Sequence, residues 1–256
     1  MTLHLRSYGG GARQALALHC SLAQGSAWAG VAAGLPGLTL RAPDLPGHGR
    51  SPDWDGISDF HTLATREVLA LLEAECDLIG HSFGATVALR IALERPEMVR
   101  TLTLIEPVLF AAARAAGAPA YAAHVAAMAG FERLSRTADK RATAEAFQAV
   151  WGDAPLSSLP ARMQEYIVQR IHLIAAAAPA LERDTAGLLA YGRLEGLGVP
   201  VLLVEGGASP PVIGAIQDEL ARRLPQVTRL VVPGAGHMVP ITHPGPVAAA
   251  IAALMA

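Results

Sequence analysis

The chain has 256 residues, of which 52% are hydrophobic and 16% are charged, and its formal net charge is −2. This balance excludes a disordered chain, which needs low hydrophobicity and high charge, and it argues against a general nucleic-acid binder, which would be strongly basic. Residues 1–11 lack the apolar stretch of a signal peptide and no run of 18 apolar residues occurs, so we expect a soluble cytoplasmic protein. Cys20 and Cys76 are too few for a disulfide scaffold and are expected to be buried free thiols.

Residues 1–107 alternate short apolar runs with amphipathic segments, which is typical of a parallel sheet covered by helices. Pro43 and the turn-rich Leu45–Gly49 end the third strand, and Ser58 is the expected N-cap of the second helix. Strands are predicted at Leu3–Tyr8, Ala15–Leu18, Leu38–Ala42, Cys76–Ile79 and Val99–Ile105, and helices at Trp28–Ala33, Ser58–Glu75 and Ala85–Glu94.

Residues 108–192 are alanine-rich and contain no convincing strand. Connections in α/β folds usually take about 2–6 residues, so this length predicts an inserted helical cap between the core segments 1–107 and 193–256. Two helices are predicted inside the cap, at Ala138–Val150 and at Pro160–Ala177, with Pro160 in the first turn. Alternation then resumes with strands at Val199–Glu205 and Val227–Val232 and helices at Pro211–Leu224 and Pro244–Met255.

The segment Gly80-His81-Ser82-Phe83-Gly84 is the strongest chemical signal in the chain. A Gly-x-Ser-x-Gly pattern is short, but here it follows an apolar strand and opens an amphipathic helix, which is the context of a nucleophile on a sharp strand-to-helix turn. The glycines avoid collisions in so tight a turn, and the N-terminus of the helix favours negative charge at the site. Ser82 is therefore the candidate nucleophile.

A serine hydroxyl needs a base that takes its proton, and His237 is the best candidate. It lies in a glycine-rich loop, Pro233–Met238, directly after the last predicted strand. Imidazole titrates near neutrality, so it can accept a proton and return it to a leaving group. His243 is the rival, but it lies at the start of the last helix, where a structural role is more common.

Negative charge that develops during attack on a carbonyl requires preorganised N–H donors. One donor should be the backbone N–H of Phe83, the residue after the nucleophile. The other should come from the loop that follows the Ala15–Leu18 strand, and there we select Ser21, with Leu22 as its neighbour. His19 in the same loop is interpreted as a structural residue.

Taken together, these segments resemble the α/β-hydrolase superfamily in their order and separation. The resemblance implies an α/β-hydrolase fold, a mostly parallel sheet flanked by helices with an inserted helical cap, and serine-type hydrolysis. It also implies that Asp44 and His48 belong to a shaped turn rather than to catalysis, and that Cys20 replaces a usual glycine of the oxyanion loop. The matching segments are His19-Cys20-Ser21, Asp44–Ser51, Gly80–Gly84 and Gly236-His237.

The catalytic acid is where the chain departs from the family pattern. The resemblance implies an aspartate shortly after the strand equivalent to Val201–Val204, where this chain has Ala208-Ser209. Glu106 is the better candidate, because it closes an apolar strand, some family members carry their acid at that strand end, and a buried carboxylate needs a partner. An ion pair with an arginine is the alternative explanation of Glu106. Glu205 is the runner-up, and Asp218 in a helix is less favoured.

The cap would cover the site and form an apolar pocket. Each single aromatic in it is more often a packing residue than a substrate contact. The candidate pocket residues are Leu22, His81, Tyr121, His124, Phe131 and Trp151, with Phe147, Tyr166 and His172 as further candidates.

The leading interpretation is hydrolysis of a small, largely apolar carboxylic ester through an acyl-enzyme on Ser82. Serine at this position excludes the haloalkane dehalogenases and epoxide hydrolases of the superfamily, which use aspartate. Hydrolysis of C–C bonds, lactone opening and haloperoxidase-like chemistry use the same triad and stay open, as does ligand binding without turnover. No metal or organic cofactor is implied. The expected partner is a small-molecule substrate, not nucleic acid or a membrane, and a homodimer stays open.

Overall fold

Seven strands form one sheet in the order β1-β3-β2-β4-β5-β6-β7 in the computed structural model, which describes residues 2–256. β1 pairs antiparallel with β3, and the other neighbours in the sheet are parallel. The mostly parallel sheet expected from the sequence is confirmed. The strands are β1 Leu5–Gly9, β2 Arg13–Leu18, β3 Leu38–Pro43, β4 Cys76–His81, β5 Val99–Ile105, β6 Val201–Gly206 and β7 Val227–Val232.

Helices cover both faces of the sheet because successive residues of each buried strand point to opposite sides. Leu78 and Ile79, neighbours on β4, are both fully buried and belong to two different apolar clusters, one on each face. The helices are α1 Ala29–Ala33, α2 Phe60–Leu69, α3 Phe83–Glu94, α4 Phe110–Ala115, α5 Pro119–Leu134, α6 Lys140–Trp151, α7 Ala161–Arg170, α8 His172–Arg183, α9 Pro211–Arg223, α10 Val239–Thr242 and α11 Pro244–Leu254. None of these helices, over residues 2–256, combines the length and apolar character that crossing a bilayer requires.

The segment between β5 and β6 holds the helices α4–α8, and residues 108–192 contain no strand. Phe110, Phe131 and Ile167 from this segment are buried in the same apolar cluster as residues of α3 and β4. The insertion is therefore packed on one face of the core through shared apolar contacts. Its treatment as a separate cap subdomain remains a prediction.

Two predicted helices differ from the observed ones. α2 begins at Phe60, and its N-cap is Asp59, whose side chain accepts a hydrogen bond from the Thr62 N–H. Ser58 lies one position before this cap, and its N–H and hydroxyl donate to Asp55. The helix predicted at Pro160–Ala177 is split in two at Ile171, and Pro160 precedes the first of them. Cys20 and Cys76 are free and buried, as expected.

Candidate active site

Ser82 lies at the sharp turn between β4 and α3, with backbone angles φ 57° and ψ −117° that non-glycine residues rarely adopt. The turn is possible because its flanking positions have no side chain. A Cβ on Gly80 would lie 2.5 Å from the Ala85 Cα, and a Cβ on Gly84 would lie 2.3 Å from the Leu18 carbonyl oxygen. The sequence thus forces the Ser82 hydroxyl out of the helix and toward the carboxyl ends of the strands.

His237 reaches Ser82 from the loop after β7. Its Nε2 is 3.0 Å from the Ser82 Oγ, and its Nδ1 is 2.9 Å from Oε2 of Glu106. A carboxylate at Nδ1 fixes the proton there, which leaves the lone pair of Nε2 for the serine hydroxyl. The structure brings these three sequence-predicted residues together, and all three are buried. His243, the rival, is part-exposed and contacts Thr242.

Glu106 follows β5 directly and has a φ of 51°, another backbone conformation that is uncommon outside glycine. Its Oε1 accepts hydrogen bonds from the Gly206 N–H at 2.5 Å and from the Ser209 hydroxyl at 2.8 Å. With His237 at its other oxygen, the carboxylate has three donors, so the explanation as an arginine ion pair does not hold. Ser209, which occupies the place where the family pattern has aspartate, supports the glutamate instead.

Glu205, the runner-up acid, points elsewhere. Its Oε2 lies 3.4 Å from the guanidinium of Arg229, which also binds Asp218 at 2.6 Å. Neighbouring residues of a strand face opposite sides of the sheet. The side chains of both alternative acids are thus engaged with one arginine, whereas Glu106 contacts the histidine ring.

Burial sets the charge state of this group of residues. It lowers the pKa of His237 to about 4, an effect opposed by the negative charge of Asp153. Burial also raises the pKa of Glu106, while the hydrogen bonds from Gly206 and Ser209 lower it by favouring the charged form. A neutral imidazole is the form that can accept a proton from a serine hydroxyl.

The candidate oxyanion donors lie on both sides of Ser82. Phe83 is the first residue of α3, where backbone N–H groups have no partner within the helix. Ser21 lines the cavity beside Ser82 and His237. Leu22, its neighbour, has a φ of 63° and donates its N–H to Nε2 of His48 at 3.0 Å. Because the Leu22 N–H is occupied, Ser21 stays the better candidate for the second donor.

Two histidines tie the oxyanion loop, residues 19–25, to the turn formed by residues 44–51. His19, in the loop, accepts the Leu45 N–H of the turn at 2.9 Å, and its other nitrogen contacts the Cys20 carbonyl. His48, in the turn, accepts the Leu22 N–H of the loop, and its other nitrogen contacts the Pro46 carbonyl. Both imidazoles must be neutral to accept at Nε2, and burial lowers the pKa of each. The structural role expected for His19 and His48 is therefore seen in their contacts.

Asp44 and Tyr166 complete this connection. The Asp44 carboxylate accepts the backbone N–H of Gly25 at 2.7 Å and that of Arg50 at 2.9 Å, as suits a residue that shapes a turn. The hydroxyl of Tyr166, on α7, accepts the Gly49 N–H and donates to the Ala23 carbonyl, both at 2.9 Å. A residue of the helical insertion thus joins the turn to the oxyanion loop.

A cavity of about 1210 Å³ opens above Ser82 and His237. Of the predicted pocket residues, Leu22, Phe131, Phe147, Trp151 and Tyr166 line it. The indole ring of Trp151 lies 4.7 Å from the His237 ring, centroid to centroid, so the insertion directly covers the imidazole. Apolar side chains form most of the remaining wall, including Val108, Phe110, Met128, Leu159, Ile167, Ile174 and Leu181.

The other predicted pocket residues do not line this cavity, and each makes other contacts. His81 lies below the site, where its Nε2 is 2.8 Å from the His237 carbonyl oxygen. His124 stacks on Phe110 at 4.1 Å, and Tyr121 donates its hydroxyl to Glu182, so both are packing residues of α5. His172 is exposed and stacks on Trp54.

Sequence reasoning missed the supporting contacts rather than the reacting groups. Ser209 and Gly206 hold Glu106, His48 holds Leu22, and Asp153 lies near the histidine loop, with its Oδ1 2.9 Å from where a Cβ on Gly236 would be. Ser209 alone carried a signal, because it stands where the family pattern has an acid. Across residues 2–256, no group of three or more His, Cys, Asp or Glu side chains is arranged to hold a metal ion.

Comparisons with known proteins agree with this geometry. The chain is 31% identical to Lipase LipV of Mycobacterium tuberculosis, over 97% of this chain and 96% of the lipase. It is 30% identical to a pimeloyl-[acyl-carrier protein] methyl ester esterase of Aeromonas hydrophila, over 95% of each chain.

Solved structures show the same fold at lower identity. The enol-lactonase from Burkholderia xenovorans LB400 superimposes with a TM-score of 0.77 at 20% identity, over 99% of this chain and 96% of the lactonase. A thermophilic esterase from Thermogutta terrifontis gives a TM-score of 0.67 at 22% identity, over 99% of this chain and 92% of the esterase. The model of the alpha/beta hydrolase family matches residues 15–250, and the chain belongs to that family.

Proposed function

We propose that this protein is a serine hydrolase of carboxylic esters that works through an acyl-enzyme. The observation that carries the proposal is the unbroken contact from Ser82 through His237 to Glu106, with 3.0 Å and 2.9 Å between the paired atoms. The related lipase and methyl ester esterase, each matched over nearly the whole chain, support ester hydrolysis.

In acylation, the Ser82 Oγ attacks the ester carbonyl carbon while its proton moves to Nε2 of His237. The carbonyl oxygen becomes an oxyanion and takes hydrogen bonds from the backbone N–H groups of Phe83 and Ser21. The ionised carboxylate of Glu106 stabilises the imidazolium without taking its proton. When the bond from the carbonyl carbon to the ester oxygen breaks, the imidazolium gives its proton to the leaving alcohol.

In deacylation, water attacks the acyl carbon of acyl-Ser82 and His237 takes a proton from that water. The bond from the acyl carbon to Oγ then breaks, and the imidazolium returns its proton to Oγ. The products are a carboxylic acid and an alcohol, and the enzyme is restored without any cofactor. Trp151 covers the imidazole ring and limits the water that reaches it.

The wall of the cavity supports an ester with an apolar acyl or alcohol part. Phe131, Phe147 and Ile167 from the insertion present carbon surface to the space above Ser82. Burial of apolar ligand surface there contributes about 25 cal/mol per Å². The absence of an aspartate near Ser209 favoured ligand binding without turnover, and in this proposal Glu106 takes the place of that aspartate. The cytoplasmic location remains a prediction from the sequence.

Labelling by a fluorophosphonate tests the proposal, because this reagent reacts with an activated serine and not with an ordinary hydroxyl. We expect intact-protein mass spectrometry to show one label on the wild type and none on Ser82→Ala. The wild type should also release p-nitrophenol from p-nitrophenyl butyrate, and Ser82→Ala should not. A wild type that takes no label and hydrolyses neither short nor long p-nitrophenyl esters would show that the proposed function is wrong.

A further inference from the structure

We propose that one end of the cavity binds an anionic group of the substrate, a carboxylate or a phosphate, through Arg6, Arg50 and Arg170. We call this end the arginine subsite. The inference rests on the proposed ester hydrolysis and narrows the substrate class to esters that carry a negative charge away from the reacting carbonyl.

The three arginines border the cavity and belong to one connected group of residues. Arg6 lies 4.0 Å from the Asp44 carboxylate, and the backbone N–H of Arg50 binds the other oxygen of that carboxylate at 2.9 Å. The guanidinium of Arg170 lies 4.0 Å above the ring of Tyr166, whose hydroxyl binds the N–H of Gly49, next to Arg50. Asp44 and Tyr166 therefore connect the side chain of Arg6, the backbone of Arg50 and the guanidinium of Arg170 at one end of the cavity.

Two of these guanidinium groups have unfilled donors. Nε of Arg6 and Nε of Arg170 are buried, and among residues 2–256 neither has a hydrogen-bond partner. A buried N–H without an acceptor destabilises the folded state, and more so when the group is charged. Both arginines line the cavity, so an anion that entered it would meet the positive charge that these guanidinium groups carry.

Local carboxylates offset these charges only in part, with Asp44 the one near Arg6 and Glu165 the one on the rim. Asp44 is buried and its oxygens already accept the backbone N–H groups of Gly25 and Arg50. Glu165 on the same rim is exposed and accepts a hydrogen bond from Gln169. Several arginines elsewhere in the molecule are paired closely, as Arg13 is with Asp77 at 2.6 Å. The arginine subsite therefore keeps excess positive charge, which suits the planar, bidentate binding of a carboxylate or phosphate.

Apart from Glu165 on α7, the acids that line the cavity are attached to other parts of it. Glu132 is on α5, Glu182 is bound to Tyr121 and His124 on α5, and Asp153 lies beside Gly236 in the histidine loop. These three acids and the three arginines are therefore held by different elements of the wall. This arrangement orients a substrate in the cavity, with its anionic end at the arginine subsite and its ester at Ser82.

A matched set of esters tests the subsite. p-Nitrophenyl half-esters of succinate, adipate and suberate are compared with p-nitrophenyl butyrate, hexanoate and octanoate, and the readout is the kcat/KM of each charged ester divided by that of its neutral partner. Loss of a charge-assisted hydrogen bond is worth about 1.5–3 kcal/mol, so we expect Arg170→Met to lower this ratio at least about tenfold for one chain length. Arg183→Met, an exposed arginine at the end of α8 that does not line the cavity, should leave the ratio unchanged.

Binding to Ser82→Ala provides a second readout that does not depend on turnover. Calorimetry with octanoate and with octyl phosphate distinguishes the two anions, and the preferred one should bind at least about tenfold more weakly to Ser82→Ala/Arg170→Met. The arginine subsite would be overturned if the kinetic ratio were equal in wild type and Arg170→Met and each anion bound equally to Ser82→Ala and Ser82→Ala/Arg170→Met. That result would leave the proposed ester hydrolysis unaffected. A wild type that hydrolyses no ester contradicts the proposed function instead, and the calorimetry still decides the subsite.

Discussion

In the proposed mechanism, Glu106 takes the place of an acid that the family pattern has after another strand. It sits one strand closer to the nucleophile than the usual position, with an unfavourable φ of 51° that turns its side chain toward the His237 ring. Such a conformation costs about 1–3 kcal/mol and persists only where neighbouring contacts hold it. Here the Ser209 hydroxyl and the Gly206 N–H hold it, so the usual acid position has become the support of the new one.

Substitution of Asp153 tests the pKa of His237 through the pH dependence of the reaction. Burial lowers the pKa of His237 to about 4, and the Asp153 charge opposes this shift. The acid limb of kcat/KM reports the pKa of the free enzyme's base, so we expect its midpoint to lie below the ordinary value of about 6.5. Removing the negative charge in Asp153→Asn should move the limb to still lower pH. Asp218→Asn, whose side chain faces Arg229, should leave it in place. A limb that moves upward in Asp153→Asn would contradict the assigned electrostatics.

At the scale of elements, the oxyanion loop depends on the turn at residues 44–51. The loop contains a strained residue, Leu22, with a φ of 63°, and His48 from the turn accepts its N–H. A second contact joins the same two segments, because His19 of the loop accepts the Leu45 N–H of the turn. The backbone at Ser21, next to Leu22, is therefore positioned by a turn that takes no part in the reaction.

We expect His48→Phe to lower kcat by about ten- to a hundredfold, because a displaced loop weakens one oxyanion donor. KM for an apolar ester should change less than kcat, since the apolar wall that the insertion contributes is untouched. His48→Gln keeps an oxygen acceptor near the position of Nε2 and should recover most of the loss. Steady-state kinetics on folded protein, checked by circular dichroism, separates these outcomes. Equal kcat for His48→Phe and wild type would show that the turn does not position the loop.

The elements that place the reacting groups could be predicted from local pattern. A strand followed by Gly80–Gly84 and a helix specifies the Ser82 turn, because the two glycines and the strand-to-helix context are all local in sequence. The second helix was predicted too long, and Asp59 rather than Ser58 caps it, because Ser58 is engaged by Asp55, a competition that periodicity does not reveal.

Long-range contacts could not be predicted in this way. Ser209 and Glu106 are 103 residues apart, and Tyr166 and Gly49 are 117 residues apart. Their meeting depends on strand order and on the packing of the insertion, neither of which a local pattern contains. For the same reason His81 and His124 were wrongly expected to line the pocket, since helix and strand patterns do not show which face the cavity occupies.

At the scale of the whole molecule, buried imidazoles make stability depend on pH. Burial lowers the pKa of several histidines, so the unfolded chain binds protons between pH 6.5 and about 4 that the folded chain does not. The contribution of these histidines to the free energy of unfolding is therefore fully present above pH 6.5. It is lost as pH falls through this window, by up to about 1.4 kcal/mol per pH unit for each group. The raised pKa values of Glu106 and Glu205 act in the opposite sense, but these are two carboxyls against five imidazoles. The histidines concerned are His19, His48, His61, His81 and His237.

Urea unfolding at pH 7, 6 and 5 checks this expectation, and the free energy of unfolding should fall at each step. His61, which contacts Thr86, is one of the buried imidazoles outside the group formed by Ser82, His237 and Glu106. His61→Phe should make the dependence of the free energy of unfolding on pH less steep. Stability that is constant or rises between pH 7 and pH 5 would be inconsistent with neutral buried histidines.

In the proposed mechanism, Glu106 and not another carboxylate orients the histidine that activates Ser82. The most direct measurement is kcat for p-nitrophenyl butyrate in Glu106→Gln and in Glu205→Gln, because both glutamates end neighbouring strands and differ in what they contact. We predict a loss of about 10³–10⁴-fold in kcat for Glu106→Gln, as expected when the group that orients a catalytic histidine is removed, and near wild-type kcat for Glu205→Gln. A large loss in Glu205→Gln with Glu106→Gln still active would contradict the account.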